Sequence, residues 1–177
     1  MTPAAPAVVW LTGRPGAGKS TLAALLHERL GARDIPSFVL DGDAVRQGLS
    51  RDLGFSPADR AENVRRVGEV AQLMTDAGLV VIVALISPYR DARRAVRERF
   101  AAGEFVEVFV DTPLEVAEQR DSKGLYARAR RGELTDFTGL DAPYEPPDAP
   151  ELRIDTTTTD ADAAADAVLD LLRLRIS

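Results

Sequence analysis

The sequence predicts an α/β fold with a parallel sheet, and two observations carry that prediction. Short β-branched apolar runs alternate along the whole chain with longer stretches of three- and four-residue apolar spacing. A glycine-rich turn joins the first apolar run to the first helical stretch. Val8 to Thr12 reads as a buried strand, and Lys19 to Leu30 as the helix after it, closed by Gly31. Ser37 to Leu40 is a second strand. Ser56-Pro57 opens a long helix, with serine as N-cap, proline in the first turn and Asp59 near the helix start. Its apolar stripe is Val64, Val67, Val70, Leu73 and Met74, and Gly78 ends it. Leu79 to Ile86 is almost continuously apolar, which places it inside the sheet. Arg90 to Phe100 is an amphipathic helix and Phe105 to Val110 a fourth strand. Thr112-Pro113-Leu114-Glu115 has the form of a capping box that starts another helix. Leu125 to Arg131 is helical and basic. Asp141 to Pro150, with four prolines, is a loop. Leu152 to Asp155 is a short last strand and Ala161 to Arg173 a closing helix.

Length and composition bound what such a fold can do. The 177 residues fit one domain spanning 1–177, with no linker visible, and 45% hydrophobic residues suffice for one core. No apolar run approaches the roughly 18 residues of a membrane span. Met1 to Val9 has no basic segment ahead of its apolar stretch, so no secretory signal is expected and the chain is placed in the cytoplasm. A net charge of -6 without a basic run argues against nucleic acid and membrane surfaces as partners. The absence of cysteine excludes disulfides, thiolate metal sites and thiol nucleophiles. His27 is the single histidine, within a helical run, so no Ser-His-Asp triad can form. Of 22 basic residues only Lys19 and Lys123 are lysines. A lysine offers a compact charge that a planar guanidinium does not copy. Both lie in the motifs that follow.

Gly13-Arg14-Pro15-Gly16-Ala17-Gly18-Lys19-Ser20 fits G-x-x-x-x-G-K-[ST] at every fixed position, with a strand before it and a helix after it. This predicts a P-loop NTPase fold. Gly13 to Thr21 should bind ATP, with backbone N–H groups around the phosphates. Lys19 should reach the β- and γ-phosphates, and Ser20 a Mg2+ ion. Pro15 removes one donor from the loop.

Asp41 and Asp43 follow the second strand, where doubly wound sheets bind ligands. One carboxylate can order magnesium, as expected of Asp43 with Ser20, and one can accept a proton from an acceptor hydroxyl. A plain Asp-Gly turn gives the same local pattern. Arg120 to Arg131 places five cations in twelve residues. Such a segment, extended to about 137, suits a lid that closes over a transferring phosphoryl group, and equally a solvated charged helix.

These segments together resemble the adenylylsulfate kinase family. The likeness rests on Leu40-Asp41-Gly42-Asp43 with Arg46, Asp52-Leu53-Gly54-Phe55-Ser56, Ala58 to Arg66, and Ile86-Ser87-Pro88-Tyr89-Arg90. It continues through Val110 to Pro113, Glu118 to Asp121, Lys123-Gly124-Leu125-Tyr126, Phe137-Thr138-Gly139 and Ala142 to Glu145. The resemblance implies a five-stranded parallel sheet flanked by helices and, commonly, a homodimer. It implies ATP-dependent phosphorylation of the 3′-hydroxyl of adenosine 5′-phosphosulfate, fed by a separate ATP sulfurylase. It implies that Arg46, Arg60 and Asn63 hold the phosphosulfate and that Phe55 and Phe137 sandwich its adenine. Ile86, Ser87, Lys123 and Leu125 also face that substrate by this pattern, and Arg120 lies near the adenine of ATP. Lys19, Asp41, Asp43 and Lys123 are the catalytic candidates. Ser87 joins them because it matches a serine described in the family as a phosphoserine intermediate. Direct in-line transfer needs no such intermediate, and a serine contact to substrate is the milder reading.

The chain departs from the family pattern in three places: Ala44 stands for an asparagine, Arg14-Pro15 for leucine-serine, and Ser122 for a proline. Ala44 keeps open a sibling kinase acting on another nucleotide or hydroxyl-bearing metabolite. A non-catalytic ATP sensor is the remaining alternative, against which the acceptor-side carboxylates argue.

Overall fold

A computed structural model describes residues 5–173 of the chain. The N-terminal stretch examined for a signal therefore begins, at residues 1–4, outside the described residues. Strand β1 (Ala7–Thr12) is buried at all six positions. A strand apolar on both faces belongs in the middle of a sheet covered on both sides. It lies between β3 (Val80–Ala84) and β4 (Phe105–Asp111), with Val9 level with Ile82 on one side and Val106 on the other. β2 (Ser37–Asp41) and β5 (Leu152–Asp155) are the edges. The order is β2-β3-β1-β4-β5 and every pairing is parallel.

Side chains alternate across the sheet and so feed two cores. Val9, Leu11, Ile82 and Val106 pack under α1 (Lys19–Gly31) and α7 (Ala161–Arg173). Val8, Trp10, Val81 and Val83 pack under α3 (Pro57–Asp76) and α4 (Arg90–Arg97). α3 starts as its sequence predicts: Ser56 Oγ accepts from the Asp59 N–H at 3.1 Å, and proline opens the first turn. Its buried face is narrower than the predicted stripe, because Leu73 is 70% exposed. That face instead begins with two polar residues, Arg60 and Asn63. Gly68 permits the close approach of α4: a Cβ there would stand 2.8 Å from a Val96 methyl.

Several local expectations are corrected. Residues after Asp41 form a short helix, α2 (Gly42–Gln47), which neither reading of the Asp-Gly pair included; the Asp41 carboxylate accepts from the Asp43 N–H and caps it. The capping box at Thr112 does not form. α5 (Leu114–Gln119) has Pro113 as N-cap with no side-chain cap bond. Thr112 is 1% exposed and its hydroxyl turns inward, donating to Ala17 O at 3.2 Å. β3 ends at Ala84, and Leu85 to Ser87 continue as buried or half-buried irregular chain. α4 stops at Arg97, three residues before Phe100. The basic helix is α6 (Leu125–Arg130). Among the described residues no helix is long and apolar enough to cross a membrane.

Candidate active site

A parallel sheet collects the ends of its strands on one edge, and the connections there come from residues far apart in sequence. Here those connections surround a cavity of about 660 Å³. Its floor is the loop between β1 and α1. Gly13 must be glycine, since a Cβ would fall 2.5 Å from the Val110 carbonyl oxygen. Gly16 combines φ of 73° with a would-be Cβ contact of 2.9 Å to Ala117 O. Gly18, at φ 104°, precedes α1 with no side-chain cap, so the first N–H groups of that helix are free for an anion.

Lys19 is 8% exposed, and its Nζ donates to the Gly13 and Arg14 carbonyls at 2.8 and 2.7 Å. Burial pushes this amine down to about 7; the nearby Asp41 charge opposes the fall and Lys123 adds to it. Ser20 Oγ donates to Asp41 Oδ2 at 2.7 Å. Asp41 thus holds the loop serine and caps α2, which leaves the next carboxylate, Asp43, facing the cavity. Asp43 is ion-paired with Lys123, the second of the two lysines, across 80 residues of sequence.

The other end of the cavity is aromatic and cationic. Phe55 is 57% exposed, with the Arg46 guanidinium 4.7 Å and the Arg60 guanidinium 5.4 Å from its ring centroid. Such contacts hold both guanidiniums against the one ring. Arg46 donates to Gly54 O at 2.6 Å, and Arg60 to Phe55 O and Asp136 O. Burial lowers the pKa of Arg46, and the neighbouring Arg60 charge lowers it further. Asn63 is buried, and its Oδ1 has no hydrogen-bond partner while the residue lines the cavity. A buried acceptor of that kind is satisfied by a ligand or by water. Phe137, 9% exposed, meets Tyr126 edge-on at 5.0 Å.

The predicted site residues divide accordingly. Pro15, Gly16, Gly18, Lys19, Ser20 and Thr21 line the cavity at the glycine loop, and Arg120 and Lys123 line it as well. Asp43, Arg46, Phe55, Arg60 and Asn63 line the same cavity, as do Ile86, Ser87, Leu125 and Phe137. Gly13, Arg14, Ala17 and Asp41 shape it from behind without lining it. Arg14 lies 5.5 Å from the Tyr144 ring centroid, and its buried Nε has no hydrogen-bond partner. Ser87 is 3% exposed at φ 42°, and its Oγ accepts the Trp10 indole N–H at 3.0 Å. The same hydroxyl donates to Leu85 O at 3.4 Å, so it is engaged both as acceptor and as donor, which favours a contact role over a phosphoryl carrier. Ala44 is exposed on α2 and does not line the cavity.

The basic cluster is also less uniform than its sequence. Arg130 pairs with Glu118 at 2.8 Å and Arg131 with Glu133 at 2.6 Å. Arg120, Lys123 and Arg128 are the cations of the segment that line the cavity. Sequence reasoning missed Thr156, which accepts from Arg120 at 3.2 Å, and the buried Thr138, whose hydroxyl has no partner. Thr156 carries no local signal, whereas Thr138 lies in the phenylalanine-threonine-glycine segment of the family likeness and was given no role. It also left Tyr126 without a role, although the lysine-glycine-leucine-tyrosine segment pointed to it.

A strand, this glycine loop, the helix behind it and a 2-3-1-4-5 parallel sheet define a P-loop kinase. Residues 5–155 match the family described as adenylylsulphate kinase, and the chain belongs to it. It is 58% identical to an adenylyl-sulfate kinase of Citrobacter koseri over 94% of this chain and 83% of that protein. It is 60% identical to the bifunctional enzyme NodQ of Azospirillum brasilense, over 94% of this chain and 27% of that protein. The chain thus spans about a quarter of the length of such bifunctional relatives. The structure of the Mycobacterium tuberculosis APS kinase CysC in complex with AMPPNP and APS superimposes with a TM-score of 0.92 at 50% identity. That match covers 97% of this chain and 99% of the other.

Proposed function

We propose that this chain, as one kinase domain, transfers the γ-phosphoryl group of ATP to the 3′-hydroxyl of adenosine 5′-phosphosulfate. The products are 3′-phosphoadenosine 5′-phosphosulfate and ADP. The observation that carries this is the single cavity. A phosphate loop with Lys19 lies at one end, and a ring flanked by two guanidiniums, Phe55 with Arg46 and Arg60, at the other. A purine stacks on such a ring, and paired forks fit phosphate and sulfate oxygens. The relatives' names point to the same acceptor.

The acceptor oxygen forms its bond to the γ-phosphorus as the bond to the ADP oxygen breaks, and the hydroxyl proton passes to Asp43. Lys19 and Lys123 offset charge on the phosphoryl oxygens, and phosphate entry gives Lys123 an anion that competes with Asp43. Ser20 and Asp43 are hard oxygen donors beside the phosphate loop, a set that suits a magnesium ion arriving with ATP and keeping its waters. Among the described residues no group of three or more His, Cys, Asp or Glu side chains is placed to hold a metal ion. When bound, magnesium neutralises charge on the β- and γ-oxygens. A homodimer, a cytoplasmic setting and an ATP sulfurylase that supplies the acceptor belong to the same proposal.

ADP release is the test. With ATP and magnesium, ADP should form only when adenosine 5′-phosphosulfate is added, and a 3′-phosphorylated product should accumulate in equal amount. ADP formation that does not depend on this acceptor would overturn the assignment.

A further inference from the structure

We infer that Tyr126 is a positioning residue that couples the phosphate loop to the acceptor end of the cavity. The names of the two ends rest on the phosphoryl-transfer reading above. Tyr126 is 1% exposed, and its hydroxyl donates to the Pro15 carbonyl at 2.7 Å, entirely within the protein. Its ring lies against the loop as well: a Cβ on Gly16 would stand 3.7 Å from Tyr126 Cε2. The same ring meets Phe137 edge-on, with centroids 5.0 Å apart and planes at 80°. One side chain therefore touches the donor loop at its tip and an acceptor-lining aromatic at its edge.

The element that carries it is suited to respond. α6 has six residues and is flanked by Gly124 at φ 67° and Gly132 at φ 75°. Its first turn hangs on one carboxylate, with the Tyr126 and Ala127 N–H groups donating to Asp121 at 3.1 and 3.0 Å. The segment also holds Lys123 and Arg128, which line the cavity. Apart from the exposed ion pairs of Lys123, Arg128, Arg130 and Arg131, one cap and one buried hydroxyl bond hold the unit between its two glycines. Phosphate in the loop must engage Lys19, which now donates to Arg14 O, the carbonyl next to the one Tyr126 binds. Any shift of that peptide is transmitted through the phenol to α6 and so to Phe137. Burial raises the Tyr126 phenol to about 12, so it remains a donor at any working pH.

The competing account is that Tyr126 only fills the small apolar cluster with Ala117 and Phe137. A phenylalanine would fill it equally well, so the hydroxyl separates the two. The experiment compares the full-length chain with Tyr126→Phe, reading hydrogen-exchange protection over 125–137 with and without ADP and magnesium, ADP affinity by calorimetry, and KM for both substrates. Tyr126→Phe should keep its melting temperature within a few degrees and its ADP Kd within about twofold. The protection that ADP confers should fall about three- to tenfold, the worth of one net hydrogen bond, and KM for the acceptor should rise by a similar factor. Equal ADP-induced protection in both proteins overturns the coupling, and loss of the folded state would assign the hydroxyl to stability instead. A wild-type chain that fails to phosphorylate adenosine 5′-phosphosulfate while still losing protection in Tyr126→Phe would remove the acceptor and leave the coupling in place.

Discussion

Nucleotide binding should take up a proton, and Lys19 is the group that takes it. In the free protein this amine is enclosed by the loop, with two carbonyls for company, and burial holds its pKa at about 7 against an ordinary 10.5. Phosphate groups supply the negative charge the site lacks, so binding moves the pKa back upward. The folded, unliganded protein is therefore the state with fewer protons above neutrality, and the complex the state with more. With a free-state pKa of about 7, uptake per bound nucleotide is about 0.1 proton at pH 6, about 0.5 at pH 7 and about 0.9 at pH 8. Affinity should weaken by up to about tenfold per pH unit above 7, because only the protonated fraction binds well. Calorimetry in buffers of different ionisation enthalpy reads the proton number from the slope of apparent enthalpy against buffer enthalpy. ADP with magnesium, titrated at pH 6, 7 and 8, gives the three values. Lys19→Met should abolish the rise. An uptake that stays near zero at all three pH values would show that the amine is already charged in the free protein, and the burial argument would fail.

Three further outcomes follow from the geometry. Phe55→Ala should raise KM for adenosine 5′-phosphosulfate with little change in melting temperature, whereas Phe137→Ala should lose about 3 kcal/mol of stability in urea titrations, since only Phe137 is packed in a core. Equal losses would contradict that division. Arg93→Met should cost about 3–5 kcal/mol, because Glu107, buried in β4 and bonded to Arg93 at 2.9 Å, loses its most enclosed partner; a midpoint unchanged in urea would show that Arg97 suffices. Ala44→Asn, restoring the family residue on an exposed surface of α2, should leave KM and kcat within about twofold, as for most surface substitutions; a large gain in kcat would place that side chain at the acceptor after all.

Some of this molecule was legible residue by residue. Apolar runs such as Val8 to Leu11 and Leu79 to Val83 demand burial on both faces, and no arrangement other than the interior of a covered sheet provides it. The phosphate loop was legible because its glycines, lysine and serine are adjacent in the chain, so local backbone geometry suffices to bring them to one anion. Arg46, Phe55, Arg60 and Phe137 were placed through resemblance, since nothing in their own neighbourhoods distinguishes a stacking ring from a core ring. Their spacing spans 91 positions between Arg46 and Phe137, and only the packed sheet brings them to one cavity.

The errors have a common source. Thr112 looked like a cap because capping is judged over four residues, yet its hydroxyl found Ala17 O, 95 residues away. Leu73 fits the stripe of α3 by spacing, but α4 covers that helix only along the side where Gly68 admits Val96. The pairing of Arg130 and Arg131 with acids of their own, and the reach of Tyr126 to Pro15, likewise depend on contacts between segments. The sequence determined most of the segments that are strand or helix, where the glycine loop lies and which residues have suitable chemistry, because periodicity, loop geometry and side-chain type act over a few residues. The tertiary structure decided which faces are covered, which charges are already neutralised and which donors face the cavity, because burial and electrostatic pairing are properties of neighbours in space.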